Sequence, residues 1–180
     1  MNRSCILFSL LLLLSFPRLS EPQESTRSVL LQVILTTSDI HRTETLVYLR
    51  VFSDGFAEAH PTHNVDFRTL ALKKAQIPTS DMTKIRELLS SSKTWGLEGK
   101  YERNWGNTDF GNEWDITIDR DKREKTIALV NFQPFLARSK KQPYPAEIER
   151  LGCMVWEIRT NVFNEPPDRN YVRGCRDWGY

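Results

Sequence analysis

The sequence predicts an α+β domain: an antiparallel sheet of about five or six strands with two helices packed on one face. Three observations carry that prediction. Several runs alternate apolar and polar residues with period two and are joined by turn signals. Two stretches place apolar residues at helical spacing. Their order along the chain is strands, helix, hairpin, helix, which suits hairpin-linked antiparallel strands.

Val29 to Thr36 is apolar at both alternating positions, as a strand buried on two faces requires. Thr45 to Phe52 is a second strand, rich in Val, Leu, Tyr and Phe. Asp54-Gly55 supplies a positive-φ turn and predicts a hairpin into Phe56–His60. Residues 65–77 fit two descriptions. Val65, Phe67, Thr69 and Ala71 alternate, while Phe67, Leu70 and Ala71 also suit a helix; the β-branched and aromatic content favours a strand. Pro78 to Asp81 announces a helix, with a hydroxyl or carboxylate expected to cap its free N–H groups. Met82, Ile85, Leu88 and Leu89 share its apolar face, and it ends in Ser90-Ser91-Ser92. The clearest strand follows: Trp114, Ile116 and Ile118 point one way, and Glu113, Asp115, Thr117 and Asp119 the other. A charged hairpin loop, Asp119 to Glu124, leads into a returning strand from Lys125 to Phe132. A last helix begins near Pro145 and carries the stripe Ile148, Leu151, Val155, Ile158 and Val162. Residues 29–163 therefore form one domain, and 164–180 a tail with Pro166-Pro167 and no periodicity.

This order resembles that of small exported bacterial domains of uncharacterised function. The matching features are the early Asp54-Gly55 turn, the Thr79-Ser80-Asp81 helix start, Asp109 ahead of a strand pair, and the closing stripe from Ile148 to Val162. The resemblance covers residues 29–163 and rests on turns and caps. It implies no activity, and the chain departs from it in a long aromatic loop and a cysteine-bearing tail.

The N-terminus has the layout of a secretory signal over residues 1–20: Arg3, an apolar run of 11 residues from Ile6 to Phe16, then Pro17 and polar residues from Ser20. The cut is expected between residues 15 and 25. The run falls short of the roughly 20 apolar residues of a membrane span, although an uncleaved anchor is the alternative. Cys5 precedes the apolar run, which is the wrong side for lipidation. The mature chain is thus expected outside the cytoplasm, secreted or periplasmic, with no membrane span. Removing residues 1–20 takes Arg3 and Arg18 and leaves 23 basic against 23 acidic residues. So balanced a surface gives no reason to expect nucleic acid as a partner. The one compact basic cluster, Arg138, Lys140 and Lys141, reads as solvated loop charge.

Cys153 and Cys175 are the cysteines left after the signal. In an exported protein a pair of thiols is usually bonded, and the alternative is free or intermolecular thiols. Cys153 lies about 140° round the helix from Ile148, off the apolar stripe, where the tail can fold back to meet it. His60, His63 and Asp66 offer metal-ligand types, but in a Pro-Asn turn and at a spacing that matches no strong motif, so solvated turn histidines are the expectation. There is no G-x-S-x-G, P-loop, G-x-G-x-x-G or H-E-x-x-H, and neither cofactor nor catalytic residue is assigned.

What remains is the segment 95–115. It holds Trp95, Tyr101, Trp105, Phe110 and Trp114, three of the five tryptophans, with half of the eight glycines. Among them sit Glu98, Glu102, Arg103, Asn104, Asn107, Asp109, Glu113 and Asp115. Rings beside amides and carboxylates suit stacking on a glycan or a peptide, and the candidate contacts are Trp105, Tyr101, Asn104 and Asp109. The plainer alternative is that the rings close the core. The expected function is a non-catalytic module that binds a protein or glycan outside the cytoplasm. The alternatives are a small glycosidase-type hydrolase using loop carboxylates, or a structural or inhibitory domain.

Overall fold

The computed structural model describes residues 27–61, 71–102, 111–132 and 144–166, together with Cys175. They form a mixed α/β arrangement: β1 (Val29–Ser38), β2 (Thr43–Phe52), β3 (Phe56–Ala59), β4 (Lys73–Gln76), α1 (Thr79–Ser90), α2 (Ser92–Trp95), β5 (Lys100–Glu102), β6 (Gly111–Arg120), β7 (Arg123–Val130) and α3 (Ala146–Phe163). The sheet has seven strands in the order β4-β3-β2-β1-β6-β7-β5. It is antiparallel except where β5 runs parallel to β7.

The sheet is thus larger than the expected five or six strands, and a third, short helix joins the expected pair. Both differences have local causes. β5 is three polar-edged residues, Lys100–Glu102, too short to show alternation, and its partner β7 lies far along the chain. α2 is one turn started by Ser91, whose hydroxyl accepts from the Lys93 N–H at 3.3 Å. The serine run that ends α1 therefore also begins α2.

β1 takes the central place because it is apolar on both faces. Leu31 and Val33 are fully buried on the helix-covered face, where they meet Leu49, Val51, Ile116 and Ile118. Each such side chain contributes about 1.5–3 kcal/mol on burial. The alternation along β6 is as the sequence predicts, with Trp114, Ile116 and Ile118 buried and Glu113, Asp115 and Thr117 half-exposed on the other face. The expected loop from Asp119 to Glu124 is shorter in fact. β6 and β7 pair out to Arg120 and Arg123, leaving Asp121-Lys122 as a two-residue turn with φ of 52° and 64°. Positive φ at both centres is the geometry that matches the twist of paired strands. Gly55 (φ 83°) turns β2 into β3 as expected, and its N–H donates to the Phe52 carbonyl at 3.0 Å. Of residues 65–77, Lys73–Gln76 is a strand although it holds none of the β-branched or aromatic residues that favoured one; Val65, Phe67 and Thr69, which carried that reading, fall within 62–70, outside the described residues.

α1 buries Met82, Ile85 and Leu89 on the face the spacing marks. The expected side-chain cap is not made. Pro78 itself stands at the cap, so Thr79, Ser80 and Asp81 already lie in the first turn, and the Asp81 and Met82 N–H groups donate to the Pro78 carbonyl at 3.0 Å. Asp81 there still favours the helix through its charge at the positive end.

α3 is enclosed far beyond its predicted stripe. Besides Ile148, Leu151, Val155 and Ile158 it buries Glu149, Gly152, Cys153, Arg159 and Phe163. Glu149 and Cys153 stand about 100° and 140° round the helix from Ile148, away from the sheet. Cys175 meets that side: Cys153 and Cys175 are bonded, with Cα atoms 5.5 Å apart and both residues buried. That separation sits within the range a disulfide demands. None of the helices among the described residues is long and apolar enough to cross a membrane.

Candidate functional site

Strand directions sort the connections between the two ends of the sheet. One end holds the tight turns: β2 to β3 through Gly55, β6 to β7 through Asp121-Lys122, and the step from β4 into α1. The opposite end holds the β1–β2 hairpin tip and the connections β3 to β4, β5 to β6 and β7 to α3. Glu102 pairs beside Val130 and Ser38 beside Gly111, so the mouths of these connections are neighbours. His60, Glu102, Gly111 and Asn131 stand there. These connections thus open at the same end of the sheet, spread across its width, with β3 and β5 five places apart in the strand order.

The hairpin tip is the best-defined part of this end. Asp39 Oδ1 accepts from the His41 N–H at 2.7 Å and the Arg42 N–H at 2.9 Å. These two donors hold its carboxyl below the usual carboxylate range, with the nearby Arg42 charge helping. The Asp39 N–H donates to the Arg42 carbonyl at 2.9 Å, and Arg42 pairs with Glu44 at 3.1 Å. This fastened turn presents Ile40, 71% exposed and the one large apolar side chain left open among the described residues. Sequence reasoning passed over Ile40, because a single aliphatic residue in a polar turn carries no pattern.

Behind the tip lies a chain of rings. Tyr101 meets Tyr144 at 6.4 Å, Tyr144 meets Phe132 at 5.3 Å, Phe132 meets Trp114 at 5.0 Å, and Trp114 meets Tyr48 at 4.8 Å. Tilted and edge-on contacts of this kind add to the area they bury. Among the candidate contacts, Tyr101 is therefore half-buried on β5, with its hydroxyl accepting from the Glu98 N–H at 2.8 Å. Trp95 folds onto the end of α1, donating from Nε1 to the Leu89 carbonyl at 2.7 Å. Trp114 is core, as its place beside Ile116 predicts. Trp105, Asn104 and Asp109 lie outside the described residues, as do Phe110 and the basic cluster Arg138, Lys140 and Lys141. Tyr48, Phe132 and Tyr144 complete the ring chain from distant parts of the sequence, and no local pattern joins them to the loop.

The polar groups here are arranged around the backbone. His60 Nδ1 accepts from the Val47 N–H at 3.1 Å, while the His60 backbone N–H donates to the Val47 carbonyl at 2.9 Å. His63 and Asp66 lie outside the described residues, and no group of three metal-ligating side chains occurs among those described. Asn112 Oδ1 is buried at this end without a hydrogen-bond partner among the described residues. No known protein-family model matches the chain, and no curated protein matches it either.

Proposed function

We propose that the protein is an exported, non-catalytic binding module whose contact surface is the end of the sheet that carries Ile40 and the β5–β6 connection with Trp105. The observation that carries the proposal is Ile40, 71% exposed on a turn already held by its own hydrogen bonds. An aliphatic side chain fixed in water gains by entering a partner, and a preformed turn loses little conformational freedom on doing so. Long connections at one edge of a rigid scaffold commonly carry function. The signal-like N-terminus places the partner, a protein or a glycan, outside the cytoplasm. The buried Cys153–Cys175 bond is compatible with that compartment.

The test is a screen of the purified mature protein against envelope glycans and immobilised envelope proteins, repeated with Trp105→Ala. Binding that falls about tenfold or more, with the melting temperature held, supports the proposal. A variant that binds as the parent does, or that loses the fold, removes Trp105 from the surface and returns it to the core.

A further inference from the structure

Arg159 is the largest fully buried side chain among those described, 1% exposed, and it carries a permanent charge. A buried guanidinium survives only where its donors are met and its charge is countered. Two separate pieces of the sheet make three contacts that prepare that place. In β2 the register slips between Val33 and Ile34 of its partner, so Tyr48 bulges out and its carbonyl turns from the ladder to accept from Arg159 Nη1. Where β3 ends, the His60 carbonyl accepts from Nη2 at 2.9 Å. The Tyr48 ring lies under the guanidinium carbon at 4.0 Å. These contacts leave one edge of the fork, Nε and Nη2, and both donate to the carboxylate of Glu165, from Nε at 2.8 Å. Such two-point pairing is the strongest way for this group to hold a carboxylate.

Glu165 is not part of α3. Asn164, in the left-handed conformation (φ 54°), ends the helix, and the Glu165 N–H donates back to the Arg159 carbonyl at 3.3 Å. The carboxylate is therefore the contribution of the tail to a receptor made by α3, β2 and β3. We infer that Arg159, with Tyr48 and the His60 carbonyl, forms a carboxylate-binding site that the chain fills from its own tail. The tail is fixed to α3 a second time by the Cys153–Cys175 bond.

Glu165→Ala in the disulfide-bonded protein tests the site, with sodium acetate or formate as the probe and sodium chloride at equal ionic strength as control. The variant should melt lower than the parent, and acetate should raise its melting temperature by several degrees while leaving the parent unmoved. Glu165→Gln, which keeps the shape but not the charge, should show no acetate response and should itself melt lower than the parent, a result that tests the pairing even if Glu165→Ala does not fold. Equal responses to acetate and chloride in Glu165→Ala would overturn the carboxylate site. So would an acetate response in Glu165→Gln as large as that of a folded Glu165→Ala. A Glu165→Gln variant that melts with the parent would overturn it too.

Discussion

The two ends of the sheet are built on opposite plans. At the turn end the chain reverses in as few residues as the strands allow, with positive φ at Gly55, Asp121 and Lys122, and Arg86 and Arg120 donate to the Ser53 and Ser90 carbonyls at 2.9 and 2.8 Å. At the other end the connections lengthen, a chain of rings closes the core beneath them, and Ile40 stands in water. The contrast shows where the fold is secured and where surface is left over. Tight turns and satisfied carbonyls serve stability. Exposed apolar area on a fixed turn adds nothing to the stability of the folded chain, and the proposed contact with a partner starts from it.

The largest expected effect sets the scale for both ends. Ile116→Asp should unfold the domain, because an unpaired carboxylate in the core costs several kcal/mol, comparable to the whole stability of a small domain. Thr117→Asp, one residue on and facing outward, should barely move the melting temperature. Equal melts for the two would break the strand assignment on which the sorting of ends depends. Trp114→Ala should cost roughly 3–5 kcal/mol by denaturant titration, since this ring joins Tyr48 to Phe132 beneath the open end. A loss under about 1 kcal/mol would mean that the ring chain does not close the core.

At the turn end, Gly55→Val should lose about 2 kcal/mol or more, given the cost of a left-handed conformation for a branched residue. Its Cβ would also meet Gln76 Nε2 at 2.7 Å and Met82 Cγ at 3.3 Å. The smallest effect is one of pH. Glu157 lies in the groove between α1 and α3 with Asp81, Lys84, Met154 and Asn161. Its carboxyl is raised above the usual range mainly by burial, with Lys84 acting the other way. A raised carboxyl favours the protonated folded form. Its contribution is present below the ordinary glutamate range and is lost as pH climbs through the raised value. Glu157→Gln should therefore flatten the decline in melting temperature across that window, and an unchanged slope would remove Glu157 as its source.

Much of the fold was legible because its signals are local. Trp114, Ile116 and Ile118 alternate within one strand, Asp54-Gly55 marks its own turn, and the paired cysteines follow from their number and from helix geometry. What could not be read depends on partners far apart in the chain. Lys100–Glu102 becomes a strand only beside β7, and without it the sheet has one strand fewer and the ends cannot be sorted. Arg159 follows Ile158 in an apolar stripe and looks like a solvated charge. Its acceptors, Tyr48 and His60, lie about a hundred residues earlier, and a bulge in β2 has no sequence mark. At the candidate site the aromatic content of 95–115 stood out, but Trp95, Tyr101 and Trp114 turn inward. The exposed contact that the geometry offers, Ile40, is a lone residue that no periodicity singles out.

The central claim is that one end of the sheet is for contact and the other for closure. The direct measurement is binding to the envelope protein or glycan selected in the screen, compared between Ile40→Asp and Lys122→Asp. Each variant places one carboxylate on a hairpin tip, at opposite ends of the sheet, and each tip is exposed. Stability in both should stay within about 0.5–1 kcal/mol of the parent. Ile40→Asp should weaken binding at least about tenfold while Lys122→Asp leaves it intact. Loss of binding in Lys122→Asp with Ile40→Asp unaffected would contradict the assignment of the two ends.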